Sequence, residues 1–308
     1  MTTMKPQRRS VLVTGAGGYM GSRLVPHLAK RHDVRLLDVD DMSSRYDVDD
    51  THVVDLTSPN LAEYRQVFAD IEVVVHLAYV RSSPGGVYDP SVPHLDRFEA
   101  ELMNVRMAHN VYRSALEAGV RRVVMASSNH AADWYEHALI HEGRREMVGP
   151  EDLPLSDNFY GWSKAASELL GFPFACGTFG RKLEIVLIRI GAPREVDASD
   201  HIGRERGPQP SIPGGTAGLK RDLGAYLSTL DGNALFTRAI EVEDIGNEHG
   251  VPWLVVYGIS DNTRAFWSLR SARSALGYLP VDDSEVRFSE QVRTWLTDED
   301  SPSMGRLG

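Results

Sequence analysis

Ser10-Val11-Leu12-Val13-Thr14-Gly15-Ala16-Gly17-Gly18-Tyr19-Met20-Gly21 is the stretch on which the fold turns. A short apolar run ends in three glycines spaced G-x-x-G-x-x-G, at Gly15, Gly18 and Gly21, and a helix-sized segment, Tyr19–Lys30, takes over from them. Glycine lets the chain reverse sharply and brings backbone N–H groups close to a pyrophosphate, and the helix N-terminus behind it adds partial positive charge. A glycine-rich turn also serves simply to join a strand to a helix. Its place directly after a first strand and before a helix favours a dinucleotide site.

Outward from this turn, short apolar runs alternate with longer amphipathic stretches. Strands are predicted at Ser10–Thr14, Val34–Asp38, His52–Asp55, Val73–Ala78, Arg122–Ser127, Ile185–Ile190 and Trp253–Gly258, with helical segments such as Val105–Ala118 between them. Strand and helix in this rhythm give a parallel sheet with right-handed crossovers. Val73-Val74-Val75 has the continuous apolar character of a strand buried on both faces. The expected fold is a Rossmann-type doubly wound α/β sheet with a small C-terminal substrate-binding lobe. Residues 8–190, joined by the strand near 253–258, would form the nucleotide-binding body. Residues 191–297 would mainly form the lobe, and 298–308 a frayed tail. Gly203–Gly218 holds five Gly and three Pro and is expected to be a long loop or lid. Helices are expected at Ala234–Ile240, Thr263–Leu276 and Glu285–Leu296.

Asp38 ends the second strand. Its carboxylate suits the two adenosine ribose hydroxyls and repels a 2′-phosphate, so the expected cofactor is NAD rather than NADP. The plain alternative is a solvated loop aspartate, since Asp40 and Asp41 follow.

Tyr160-Gly161-Trp162-Ser163-Lys164 places a phenol and an ammonium four residues apart, on one face of a helix. A tyrosine ionises near pH ~10, too high for a base at neutral pH. A neighbouring Lys164 cation, together with a positive nicotinamide ring, favours the phenolate. Y-x-x-x-K is common by chance, and its context gives it meaning. Ser127-Ser128-Asn129-His130 directly follows the fifth strand, where a doubly wound sheet opens its ligand crevice. Ser128 can bond a reacting oxygen, and Asn129 and His130 the neighbouring ones; His130 could equally be a capping residue. There is no G-x-S-x-G elbow and no convincing metal-ligand spacing, so neither a hydrolase nor a metal site is expected.

Together these residues resemble the extended short-chain dehydrogenase/reductase superfamily of the NAD-dependent epimerase/dehydratase type. The resemblance runs from Ser10 to about Leu279 and includes Asp55-Leu56, His76-Leu77-Ala78 and Asn104. It implies NAD contacts from Gly15, Gly18, Tyr19, Met20, Gly21, Asp38, Asp55, Leu56, Leu77, Ala78, Asn104, Tyr160 and Lys164, with Ser128, Tyr160 and Lys164 catalytic. Within the superfamily, Ala126-Ser127-Ser128-Asn129-His130, Tyr160-Gly161-Trp162-Ser163-Lys164-Ala165 and Leu187-Ile188-Arg189-Ile190-Gly191 resemble the uronate dehydrogenases, which oxidise C1 of a uronate to an aldarolactone. That implies a substrate site of Ser128, Asn129 and His130, with Arg221 gripping the carboxylate. Arg81 and Ala192 stand where those enzymes carry serine, and Arg81 would be a second substrate cation.

Two rivals are a nucleotide-sugar epimerase or dehydratase and a non-catalytic NAD-sensing protein. Against the first, Asn129-His130 follows Ser128 in place of Asp-Glu, and Gly191-Ala192-Pro193 replaces a Tyr-Gly-Pro turn. Against the second, Tyr160, Lys164 and Ser128 are all intact. The 308-residue chain carries a net charge of −10, which argues against nucleic acid or an anionic membrane as partner. Cys176 is its only cysteine, and no signal peptide or membrane span is evident. A cytoplasmic homodimer acting on a small molecule is expected, the dimer by analogy with related enzymes.

Overall fold

Seven strands form one all-parallel sheet: β1 (Ser10–Thr14), β2 (Asp33–Asp38), β3 (Thr51–Val53), β4 (Val73–His76), β5 (Arg122–Ser128), β6 (Glu184–Ile190) and β7 (Trp253–Gly258). In this computed structural model, which describes residues 8–81, 91–201 and 214–297, their order is β3-β2-β1-β4-β5-β6-β7. The order reverses between β1 and β4, and a doubly wound sheet opens a crevice at such a switch point.

Helices cover both faces: α1 (Gly21–Leu28), α2 (Phe98–Glu117), α3 (Phe159–Cys176), α4 (Gly215–Ala225), α5 (Thr229–Glu241), α6 (Arg270–Leu276), α7 (Ser284–Arg287) and α8 (Ser289–Thr297). Val73, Val74 and Val75 are fully buried, alternating between a cluster with Leu24 and Phe236 on one face and one with Val111 and Phe174 on the other. Burial on both faces is why the run lacks polar alternation, and each such side chain contributes about 1.5–3 kcal/mol. α3 starts where the Asn158 side chain accepts the Gly161 N–H at 2.9 Å and ends at Gly177, whose φ of 83° suits only glycine.

The seven expected strands all form, β3 and β4 ending earlier than expected. α2 begins at Phe98, well before Val105. The segment expected to be helical from Thr263 becomes so only at Arg270. Before it, Asn262 bonds the Gly224 and Tyr226 carbonyls and Thr263 bonds Asp283, which holds the chain in a loop. The last helix is broken at Phe288, whose ring packs edge-on against Tyr226 at 5.0 Å. Residues 203–213 of the expected loop and the tail from 298 lie outside the described residues. The loop's other end is not a loop: Gly215–Gly218 is the first turn of α4. Leu219 and Leu223 on that helix fill a separate cluster with Val196, Trp295 and Val292, and this packing outweighs the local glycine content.

Candidate active site

A cleft of about 870 Å³ runs along the C-terminal ends of the central strands. At one end lies the glycine turn. Gly15 has a φ of 71°, and a Cβ there would fall 2.5 Å from the Ala78 backbone, so only glycine fits. Asp38 accepts the Gly17 N–H at 2.7 Å and lines the cleft, as do Gly18, Tyr19, Met20, Asp55, Leu56, Leu77 and Ala78. The Tyr19 hydroxyl donates to the Pro193 carbonyl, tying the turn to the segment after β6. Gly21 does not line the cleft. A Cβ there would meet the Ala16 carbonyl oxygen at 2.2 Å, so its role is close packing of α1 beneath the turn. Asn104 is likewise a support: its amide brackets Val80, accepting the N–H at 2.8 Å and donating to the carbonyl at 2.9 Å.

At the other end Ser128, Tyr160, Lys164 and Arg81 line the same cleft. Lys164 is half-buried, donates to the Ala126 carbonyl at 3.0 Å and sits 5.9 Å from the Tyr160 ring centre. Burial pushes its ammonium down to about 8, while Glu101 and Glu168 act in the opposite sense. Tyr79, which sequence patterns did not single out, packs edge-on against Tyr160 at 5.5 Å. Its hydroxyl donates to Glu101, which also accepts from Ser163 Oγ at 2.6 Å. Burial raises the Glu101 carboxyl, against hydrogen bonds from Ser163 and Tyr79 and the nearby Lys164 charge.

Two further contacts hold α3 against the sheet. Arg189 on β6 pairs with Glu168 at 2.8 Å, both of them buried, and Ser127 donates to the same carboxylate. At Gly161, a Cβ would fall 2.0 Å from the His130 carbonyl oxygen, so the helix backbone lies directly on the turn after β5.

Behind Tyr160 the side chains form a buried polar chain. The His130 ring lies edge-on to Tyr160 at 5.5 Å. Arg221 Nη2 donates to His130 Nε2 at 3.1 Å, so Nδ1 carries the proton and donates to Asp133 at 2.9 Å. Asp133 also accepts from Asn158, at the start of α3, at 2.8 Å. Arg221 is buried, with Nε 3.0 Å from Glu136 Oε1 and Nη1 3.6 Å from Asp222. Burial raises both carboxyls. For Glu136 the charge of Arg221 prevails and holds it below the usual range. For Asp222, His201, Arg194 and Arg221 together bring it to about 2. Asn129 is buried with its Nδ2 unpartnered among the described residues. Neither Asn129, His130 nor Arg221 lines the cleft directly.

Residues 11–175 match the model of a family described as the NAD dependent epimerase/dehydratase family. The chain belongs to that family. Its seven-stranded sheet is the fold shared by the solved epimerase/dehydratase relatives, and NAD is its cofactor. A NAD-dependent glucose-6-phosphate dehydrogenase of Haloferax volcanii is 30% identical over 89% of this chain and 94% of its own. A uronate dehydrogenase of Pseudomonas syringae pv. tomato is 29% identical over 98% and 92%. The crystal structure of a glucuronic acid dehydrogenase from Chromohalobacter salexigens superposes with a TM-score of 0.68, at 25% identity, covering 93% of this chain and 90% of that one.

This epimerase/dehydratase-family chain fits a dinucleotide on its own geometry. Gly15 and Gly18 leave the turn without side chains, Asp38 closes one end, and Tyr160 with Lys164 stands at the other. Asp38, Asp55, Ser128, Tyr160 and Lys164 thus reach one cleft, as the sequence suggests. Glu101, Asp133 and Glu136 were not singled out; of these only Asp133, three residues after His130, carried a local signal in its spacing.

Proposed function

We propose that the chain is an NAD-dependent dehydrogenase that oxidises the C1 hydroxyl of a free sugar or sugar acid to its lactone, with Tyr160 as the base. The observation that carries this reading is the meeting of Ser128, Tyr160 and Lys164 in the cleft whose far end is the glycine turn and Asp38. Bound NAD supplies the acceptor for the hydride that leaves C1. Tyr160 takes the hydroxyl proton, so that the C1–H and O–H bonds both break as the carbonyl forms. The Lys164 cation stabilises the phenolate, and the Ala126 carbonyl holds that cation in place. Ser128 Oγ bonds the reacting oxygen. Its own contacts are the His130 N–H at 3.2 Å and Asn129 Oδ1 at 3.4 Å, both on the turn that follows.

The sugar-acid form of the reaction, a uronate giving an aldarolactone, draws its support from the likeness to uronate dehydrogenases. In the same reading, residues 8–190 with the strand at 253–258 bind the nucleotide and 191–297 shape the sugar end. Association as a cytoplasmic homodimer is part of the proposal. Its support is a partly exposed aromatic cluster bridging α2 and α3, with Phe98 5.6 Å from Trp162 and 5.5 Å from Phe159. Among the described residues no helix is long and apolar enough to cross a membrane.

The test is incubation with NAD and a panel of uronates, neutral aldoses and nucleotide sugars, followed by NADH absorbance. NADH formation with free sugars is the expected outcome. Interconversion of nucleotide sugars without net NADH would replace this reading with an epimerase.

A further inference from the structure

Arg221 is the cation that a uronate carboxylate would need, and its charge is already matched from within the chain. Its three nitrogens face Glu136 at 3.0 Å, His130 at 3.1 Å and Asp222 at 3.6 Å. Glu136 is fully buried in a π-helical turn, Glu136–Ile140, and its Oε1 also receives His141 Nε2 at 3.3 Å. Asp222 lies farther off and is shared with Arg194 at 2.9 Å and His201 at 3.2 Å, so Glu136 is the nearer counter-charge of Arg221.

We infer that Glu136 takes the place of a substrate carboxylate at Arg221 and so makes the sugar end of this site select uncharged sugars over uronates. The inference rests on the proposed C1 dehydrogenase reading and narrows its substrate class.

Two physical arguments support it. A carboxylate brought to Arg221 would enter a buried region beside Glu136, where like charges repel far more strongly than in water. Burial opposes ionisation of Glu136, but the Arg221 charge with hydrogen bonding from His141 outweighs it, so the repelling charge is present at neutral pH. The second argument concerns donors. Glu136 Oε2 is buried and has no hydrogen-bond partner among the described residues, and the same holds for Asn129 Nδ2. A lone carboxylate oxygen is satisfied by an O–H donor, which a hydroxyl offers and an ionised carboxylate does not. A tight site also discriminates by building repulsion against the unwanted ligand as well as attraction toward the wanted one.

The experiment compares kcat/KM for galacturonate and glucuronate with that for galactose and glucose, in wild type and in Glu136→Gln. The glutamine amide keeps an oxygen facing Arg221 while removing the charge. Wild type should favour the neutral aldoses by about 10-fold or more, the order expected of an unrelieved buried charge conflict. Glu136→Gln should move the ratio toward uronates by at least as much, mainly through a lower uronate KM, with NAD affinity unchanged. Should Glu136→Gln fail to fold, the wild-type ratio decides, together with thermal shifts by the corresponding aldonolactones and aldarolactones. Uronates used as well as neutral aldoses by wild type, or a ratio unmoved in a folded Glu136→Gln, would overturn the inference. NAD reduction by none of the sugars would instead overturn the dehydrogenase reading itself.

Discussion

The two ends of the cleft are built on different principles. At the nucleotide end the backbone shapes the turn: Gly15 turns with a φ of 71° and Gly17 gives its N–H to Asp38, which lines the cleft together with Asp55, Leu56 and Leu77. At the sugar end the site is lined and backed by side chains that pair with one another: Lys164 with Glu101 and Glu168 nearby, His130 hydrogen-bonded to Asp133, Arg221 with Glu136. An end made of backbone tolerates little change in shape. An end made of buried pairs can be retuned by one substitution, at the risk of leaving a partner charge stranded, which costs about 3–5 kcal/mol.

The sharpest way to separate the two ends is Tyr160→Phe. Turnover should fall by about 10²–10⁴-fold or more while NAD affinity, measured by fluorescence or calorimetry, stays within a few-fold. Turnover close to wild type would remove Tyr160 as base and with it the division of labour. The reciprocal change is Gly15→Ala. The added Cβ would overlap the Ala78 backbone in a conformation that alanine avoids, so NAD affinity should drop by about 10-fold or more, with a lower Tm. Unchanged NAD binding would show that the turn does not approach the phosphates.

Asp38→Ser should act more mildly. It removes the carboxylate that would meet the adenosine ribose, so the preference for NAD over NADP should shrink by about 10-fold in kcat/KM. It also frees the Gly17 N–H, so some loss of NAD affinity accompanies the shift. A preference for NADP already present in wild type would contradict the assignment of this strand end.

The smallest effect concerns stability. His76, at the end of β4, is buried and bonds Thr14 Oγ1 at 2.7 Å; burial, helped by the Lys164 charge, pushes its imidazole down to about 3. The unfolded chain, with a value near 6.5, binds the proton more readily between those limits. Stability is therefore complete above pH ~6.5 and declines as pH falls toward 3, by about 2 kcal/mol at pH ~5 from this group alone. His76→Asn should flatten the fall of Tm between pH ~6.5 and ~5. An equal slope in both proteins would assign the acid sensitivity to other groups.

The same contrast explains what could be read in advance. Strand positions, the glycine turn and Asp38 depend on local rules, namely short apolar runs, a turn that only glycine makes and an acid one strand later. The pair Tyr160/Lys164 was visible because a helix places both on one face. The partners of Arg221 were not, because the 136–140 turn and α4 meet only through the fold. Arg221 looked like an open clamp in the sequence and is matched in the structure. α4 itself was obscured by Gly215 and Gly218, whose low helix propensity is offset by the packing of Leu219 and Leu223.

The contact at Gly161 bears on anyone wishing to redesign this enzyme. Because α3 rests on the His130 carbonyl with no side chain between them, the spacing of Tyr160 from Ser128 and His130 works as a fixed gauge. Trimming residues on that wall would gain no room for a bulkier sugar, since the two main chains already touch. Space for new substrates has to come instead from side chains that line the cleft, such as Met103 and Ile190, whose exchange leaves that main-chain contact in place.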